Sequence, residues 1–216
     1  MARRLSLAAG LLAIALALAV VLLGSDERRS GSDLTPNGAF VFVLGPGQQA
    51  CQGGELTPAD TAALRMTLGT YGAPGPRLGV SIVGPGGNPV TAGGLGPGWR
   101  QGVVRIPVRA VEQASADGEL CLRNEGAAPF AVAGDKPDPG FELTLAGRKL
   151  AEVRMRVDYM RPGRETWASL APVIAHRFSL GKAGWLRGWA WAAYLVLVLG
   201  AISVAAAVLL EREAER

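Results

Sequence analysis

Two long apolar runs, Leu5–Gly24 and Trp189–Leu210, lie near the ends of this chain, and neither contains a charged residue. A helix rising ~1.5 Å per residue crosses a hydrocarbon core of roughly 30 Å in about 20 residues, so each run is long enough to span a bilayer. The expected organisation is a two-pass membrane protein with cytoplasmic ends at 1–4 and 211–216. Transmembrane helices at 5–24 and 185–210 enclose an extracytoplasmic domain at 25–166 and a juxtamembrane helix and linker at 167–184. Arg3 and Arg4 precede the first run and keep the N-terminus inside, whereas Arg177, Lys182 and Arg187 weigh against an inward return of the second. Trp185, Trp189, Trp191 and Tyr194 are placed to form an aromatic belt at the outer interface.

A cleaved signal peptide is the rival reading of the N-terminus. The run exceeds the usual ~7–15-residue apolar region of such peptides, and Leu22–Ser25 is a poor small-x-small cleavage site, which favours an uncleaved anchor. Both readings export the domain. Ala9, Ala13 and Ala17 recur at spacing four and form a small-residue face able to pack on Gly200, Ser203 and Ala207, although an Ala-rich apolar helix needs no such partner.

The only two cysteines, Cys51 and Cys121, lie in the central segment, and an even pair outside the cytosol reads as a disulfide. His176 is the sole histidine, so no His/Cys metal set is expected and no cofactor is predicted.

Within 25–166 the periodicity is two. Leu64, Met66 and Leu68 alternate with Arg65 and Thr67, and Leu78, Val80 and Ile82 with Gly79 and Ser81. The same alternation recurs at Val104, Ile106, Val108; at Leu120, Leu122; at Phe141, Leu143, Leu145; and at Val153, Met155, Val157, Tyr159, opposite Arg154, Arg156 and Asp158. With short runs at Ala39–Val43 and Phe130–Val132, about eight or nine strands are expected. Gly- and Pro-rich turns separate them. The fold class is an all-β ectodomain, an antiparallel β-sandwich of jelly-roll type. One helix is expected after Ser169 as N-cap, with Leu170, Ile174 and Phe178 on one face, Pro172 in its first turn and Gly181 at its end.

Residues 148–182 carry eight basic and three acidic side chains against nine and twelve in 25–147, so the membrane-proximal part is basic and suits anionic headgroups. Nucleic acid is not an expected partner for an exported chain of net charge +4. No Gly-x-Ser-x-Gly elbow, His-Glu-x-x-His or phosphate-loop pattern occurs. The carboxylate pairs Asp135 with Asp138 and Glu119 with Glu142 are formally able to act as acid and base, but solvated carboxylates are far commoner, and an enzyme is not expected. For ligand binding the distal candidates are Trp99, Arg100, Tyr71 and Arg65.

The stretches Leu64–Gly72 (LRMTLGTYG), Gly118–Asn124 (GELCLRN) and Asp158–Trp167 (DYMRPGRETW), then Leu170–Pro172 and a final apolar helix, resemble a group of actinobacterial membrane-anchored proteins. These look like carbohydrate-binding-like ectodomains associated with polytopic glycosyltransferase-like membrane proteins. The resemblance implies an accessory or recognition module in envelope polysaccharide synthesis or export. Its expected partners are the lipid bilayer, surface glycan and a glycosyltransferase or exporter. The alternative is a scaffold subunit that binds no sugar.

Overall fold

The computed structural model describes residues 2–36, 38–135, 142–179 and 188–214. The chain divides into two compact units, Glu27–Arg164 and the segments Met1–Asp26 with Glu165–Arg216.

The first unit holds β1 (Arg29–Ser32), β2 (Ala39–Leu44), β3 (Gln49–Thr57), β4 (Ala63–Gly69), β5 (Leu78–Val83), β6 (Pro89–Leu95), β7 (Gly102–Pro107), β8 (Ser115–Asn124), β9 (Phe130–Asp135), β10 (Glu142–Leu145), β11 (Arg148–Ala151), β12 (Arg154–Met155) and β13 (Asp158–Met160). Every pairing is antiparallel. β2 pairs with β9, β3 with β8, β4 with β7 and β5 with β6. Further pairing of β4 with β9 and of β5 with β8 gives two four-stranded cores, β2-β9-β4-β7 and β3-β8-β5-β6. β1, β12 and β13 extend the first sheet, and the β10–β11 hairpin extends the second. The inward residues of both sheets form one cluster that includes Leu64, Met66, Leu68, Leu78, Ile82, Leu120, Leu122 and Phe130, each at most 2% exposed. Burying a side chain of this kind stabilises by ~1.5–3 kcal/mol. The unit is an all-β sandwich.

Thirteen strands appear among the described residues, more than the eight or nine expected. The additions are β1, β3, β6 and β11, together with the division of 153–159 into β12 and β13; β3 is nine residues long and β6 seven, and β1, β3, β6 and β11 carry little apolar alternation. The β10–β11 turn uses Ala146 and Gly147, both at positive φ (47° and 81°), as a tight hairpin needs. Phe141 falls outside the described residues.

The stretch 153–159 departs most from its expected pattern. It is not one strand with a polar outer face. The chain runs antiparallel to β9 as β12, turns at Arg156 and Val157, and continues antiparallel to β4 as β13. It fills a fork: β4 pairs with β9 only at Leu68 and Gly69, and with β13 at Ala63–Arg65. Gly134 makes the close approach possible, since a Cβ there would lie 2.0 Å from the Arg154 carbonyl oxygen. Arg154 and Asp158 are buried at 7% and 4% exposure rather than solvated.

In the second unit lie α1 (Ala2–Leu23), α2 (Trp167–Ser179) and α3 (Gly188–Ala214), with Asp26 and Glu165 exchanging both backbone hydrogen bonds. α2 begins two residues before Ser169. Thr166 caps it through a reciprocal pair, Ser169 N–H to Thr166 Oγ1 (3.0 Å) and Thr166 N–H to Ser169 Oγ (3.1 Å), so Ser169 occupies the third helical position. Pro172 accordingly lies inside the helix, past its first turn. Gly181 and Lys182 fall outside the described residues. Among the described residues no helix is long and apolar enough to cross a membrane.

Candidate functional site

The buried polar side chains of the sandwich concentrate where the first sheet forks. Their anchor is β3, in the opposite sheet. Gln52 and Glu55 are three apart and would face opposite ways on a regular strand. The ladder with β8 slips between them, with Gly54 at φ 71°, and this bulge lets both side chains be buried, at 2% and 0% exposure. Gln52 clasps the backbone of Met155, accepting from its N–H (2.7 Å) and donating to its carbonyl (3.3 Å). Glu55 accepts from Gln52 Nε2 (2.9 Å), from the Arg154 guanidinium and from the Tyr159 hydroxyl. Arg154 Nε also lies 3.8 Å from Asp33 Oδ2. Asp33 in turn accepts from the N–H groups of Thr35 (3.1 Å) and Val157 (3.2 Å).

This is a structural lock rather than an acid/base pair, because both carboxylates are sealed from solvent and committed to Arg154. Burial pushes the Tyr159 phenol far above its ordinary value, with the Glu55 charge adding to the rise, so it stays a donor. Burial likewise raises Asp33 from 3.8 to about 6; the Glu55 charge adds to this, while the two backbone N–H groups and Arg154 oppose it. Native Asp33 therefore holds its proton more tightly than the unfolded chain does, and the stability it contributes is lost as pH rises from about 4 through about 6. We expect Asp33→Asn to gain on wild type by on the order of 2 kcal/mol between pH 4 and 6.5 in urea unfolding. A constant difference across that range would refute this.

Next to the lock, the first sheet carries a concavity of about 270 Å³ lined by Arg29, Arg65, Met66, Thr67, Val103, Arg156 and Asp158. Pairing assembles it, for β1, β13, β4 and β7 lie side by side and Asp158 is the cross-strand partner of Arg65. Asp158 Oδ2 accepts from Arg65 Nε (3.2 Å) and Nη2 (2.9 Å). Its Oδ1 lies 3.4 Å from Arg29 Nη1 and 3.6 Å from Arg156 Nη2, yet accepts no hydrogen bond. Burial alone would raise the Asp158 carboxyl, but the Arg65 hydrogen bonds, the Ser32 hydroxyl and the charges of Arg29 and Arg156 outweigh it and hold the group below its ordinary value. Three guanidinium groups thus meet one carboxylate. A larger depression of about 580 Å³, between Val90 and the 109–115 loop, has one cation and one carboxylate in its lining and no convergent group.

Of the residues predicted from sequence for ligand binding, Arg65 lines this concavity, and Trp99, Arg100 and Tyr71 do not. Trp99 is a packing residue. Its indole N–H donates to the Pro76 carbonyl (2.7 Å), its ring meets Phe130 edge-on at 5.7 Å, and it lies so close over Gly75 that a Cβ there would come within 2.1 Å. Arg100 is exposed, and Tyr71 is 68% exposed at φ 53° in the turn after β4. Arg156 and Asp158 were missed because each reads as an ordinary strand charge, and Arg29 because it reads as a charge flanking the first apolar run.

Cys51 and Cys121 are bonded, as direct cross-strand partners on β3 and β8. They are also two members of a potential metal trio with Glu119, but neither sulfur is a free thiolate. His176 is exposed on α2. Asp138, Trp185 and the side chains of Glu142, Trp189 and Trp191 fall outside the described residues. Tyr194 is 57% exposed. Ala9, Ala13 and Ala17 are exposed on α1, as are Gly200, Ser203 and Ala207 on α3, and Ser203 Oγ donates to its own helix at Leu199 O (2.8 Å). A comparison with protein-family models, curated proteins and solved structures finds no match.

Proposed function

We propose that the chain is a non-catalytic, membrane-anchored recognition module: a jelly roll displayed outside the cell between two transmembrane helices, next to a short juxtamembrane helix. It serves envelope polysaccharide synthesis or export by binding glycan or a polytopic glycosyltransferase or exporter. The nested pairing of β2 with β9, β3 with β8, β4 with β7 and β5 with β6 is the strand order of a jelly roll, an architecture that lectin domains share.

The observation that carries the reading is the Cys51–Cys121 bond in a β domain bracketed by apolar helices. Such bonds persist in oxidising compartments and are rare in the cytosol. Anchoring is supported by α1, whose Leu11, Leu12, Ile14, Leu16 and Val20 are all more than half exposed. A helix apolar on every side suits lipid or a protein core, not water.

The test uses the tagged full-length protein in its native membrane. External protease should cut within 25–166 and leave both termini protected, and cross-linking should recover a glycosyltransferase-like or exporter partner, or glycan. Protection of the domain, or recovery of neither, would overturn the reading. A scaffold subunit that binds no sugar is the second reading, favoured by β2. Among the described residues this strand pairs only with β9, and it exposes Phe40 and Val43 at 54% and 43%. Recovery of a protein partner without glycan would decide for it.

A further inference from the structure

We propose that the concavity formed by Arg29, Arg65 and Arg156 binds the anionic group of an acidic saccharide, a carboxylate or phosphate carried by the glycan. The inference rests on the recognition reading above and adds the charge class of the ligand.

Three guanidinium groups surround Asp158, which neutralises one of them and leaves a local excess of two positive charges. Arg65 and Arg156 are only 26% and 23% exposed, so water screens that excess less than it would at an open surface. An anion entering the concavity would relieve it.

Each guanidinium offers five N–H donors. Asp158 engages Nε and Nη2 of Arg65, and the Thr35 carbonyl engages Nη1 of Arg156 at 2.8 Å. Among the described residues no hydrogen bond engages the guanidinium of Arg29 or Nη2 of Arg156; both approach Asp158 Oδ1 only as ion pairs at 3.4 and 3.6 Å. The planar fork of an arginine matches a two-oxygen anion, which is how carboxylate and phosphate are taken bidentately.

No aromatic ring is present in the lining on which an uncharged sugar would stack; Thr67 and the 68% exposed Val103 are the neutral surface beside the arginines. The volume, about 270 Å³, falls at the small end for ligand sites, which fits one charged sugar residue and not a length of polymer. An anionic lipid headgroup has the same charge, but surfaces that sit in a bilayer interface pair basic residues with large inserting side chains such as Trp, Phe and Leu. Val103 is the only exposed apolar side chain in this lining.

The experiment places the full-length protein in phosphatidylcholine nanodiscs and titrates it with trigalacturonate, mannose 6-phosphate and uncharged maltotriose. At least one of the acidic probes should bind, more weakly as salt rises, and maltotriose should not. Arg29→Gln should weaken acidic binding by about tenfold or more, the range for losing a charge-assisted hydrogen bond. Arg65→Lys, which keeps the charge and loses the fork, should also weaken it. Arg65→Ala strands the buried Asp158 carboxylate and is prone to misfold; Arg29, half exposed, leaves the test falsifiable. Unchanged affinity in Arg29→Gln, equal binding of maltotriose, or no binding of either acidic probe would overturn the proposal. So would binding only to nanodiscs containing phosphatidylglycerol, which would assign the site to lipid. If the acidic probes fail while a membrane partner is still recovered from cells, the charge class falls and the recognition module stands. If external protease cannot reach the domain, the module itself falls.

Discussion

Arg154→Met is expected to destabilise the sandwich by about 3–5 kcal/mol, the range for removing one partner of a buried ion pair. The magnitude comes from what is left behind. Arg154 is 7% exposed and is the cation facing both Glu55 and Asp33, whose side chains are 1% and 0% exposed. Without it, Glu55 retains only Gln52 and the Tyr159 hydroxyl as neutral donors, and two carboxylates share a site from which water is excluded. The pair itself need not stabilise the fold, since well-packed apolar replacements of buried ion pairs are often neutral. Arg154→Met combined with Glu55→Gln should therefore recover much of the loss. Urea unfolding of the two single variants and the double closes the cycle. A single-variant cost below about 1 kcal/mol, or no recovery in the double, would show that water reaches the pair.

The parts of this fold that can be read from sequence are those where one strand face meets the core and the other does not. Leu64, Met66, Leu68 and Leu78, Val80, Ile82 fall inward as their alternation requires, and the four residues flanked by them, Arg65, Thr67, Gly79 and Ser81, stay partly exposed. The rule fails where charged side chains meet at the fork. Arg154 and Asp158 carry the same polar-opposite-apolar signature as Arg65, but the fork between β4 and β9 buries them. Two signals bore on this. Gly53-Gly54 within a strand marks a bulge, and only a bulge turns both Gln52 and Glu55 inward. Three charges at spacing two in 153–159 also needed partners of opposite sign elsewhere. The concavity was less legible, because residues 29, 65 and 156 meet only through the register of β1 on β13 and β13 on β4. Trp99 has the residue type of a sugar platform, yet its ring is spent on Gly75, Pro76 and Phe130.

Removing the disulfide by Cys51→Ala with Cys121→Ala is expected to cost about 4 kcal/mol, the chain-entropy value for a loop of this size, the two cysteines being 70 residues apart. The native sheet should barely change. Cys51 and Cys121 are already cross-strand partners, and β3 and β8 stay in register on either side of them through Ala50 with Leu122 and Gln52 with Leu120. The effect therefore lies mainly in the unfolded chain, which regains the freedom that the closed loop denies it. A larger unfolded ensemble exposes more surface, so the urea m-value should rise as the midpoint falls. Reduction of the wild-type protein should reproduce both changes, and reoxidation should reverse them. An unchanged midpoint with an unchanged m-value would mean that the bond does not constrain the unfolded chain. That result would also weaken the case for export, because a domain indifferent to its disulfide gains nothing from an oxidising compartment. A loss of the expected size would make the oxidised form the more stable one, as the proposed placement in an oxidising compartment requires.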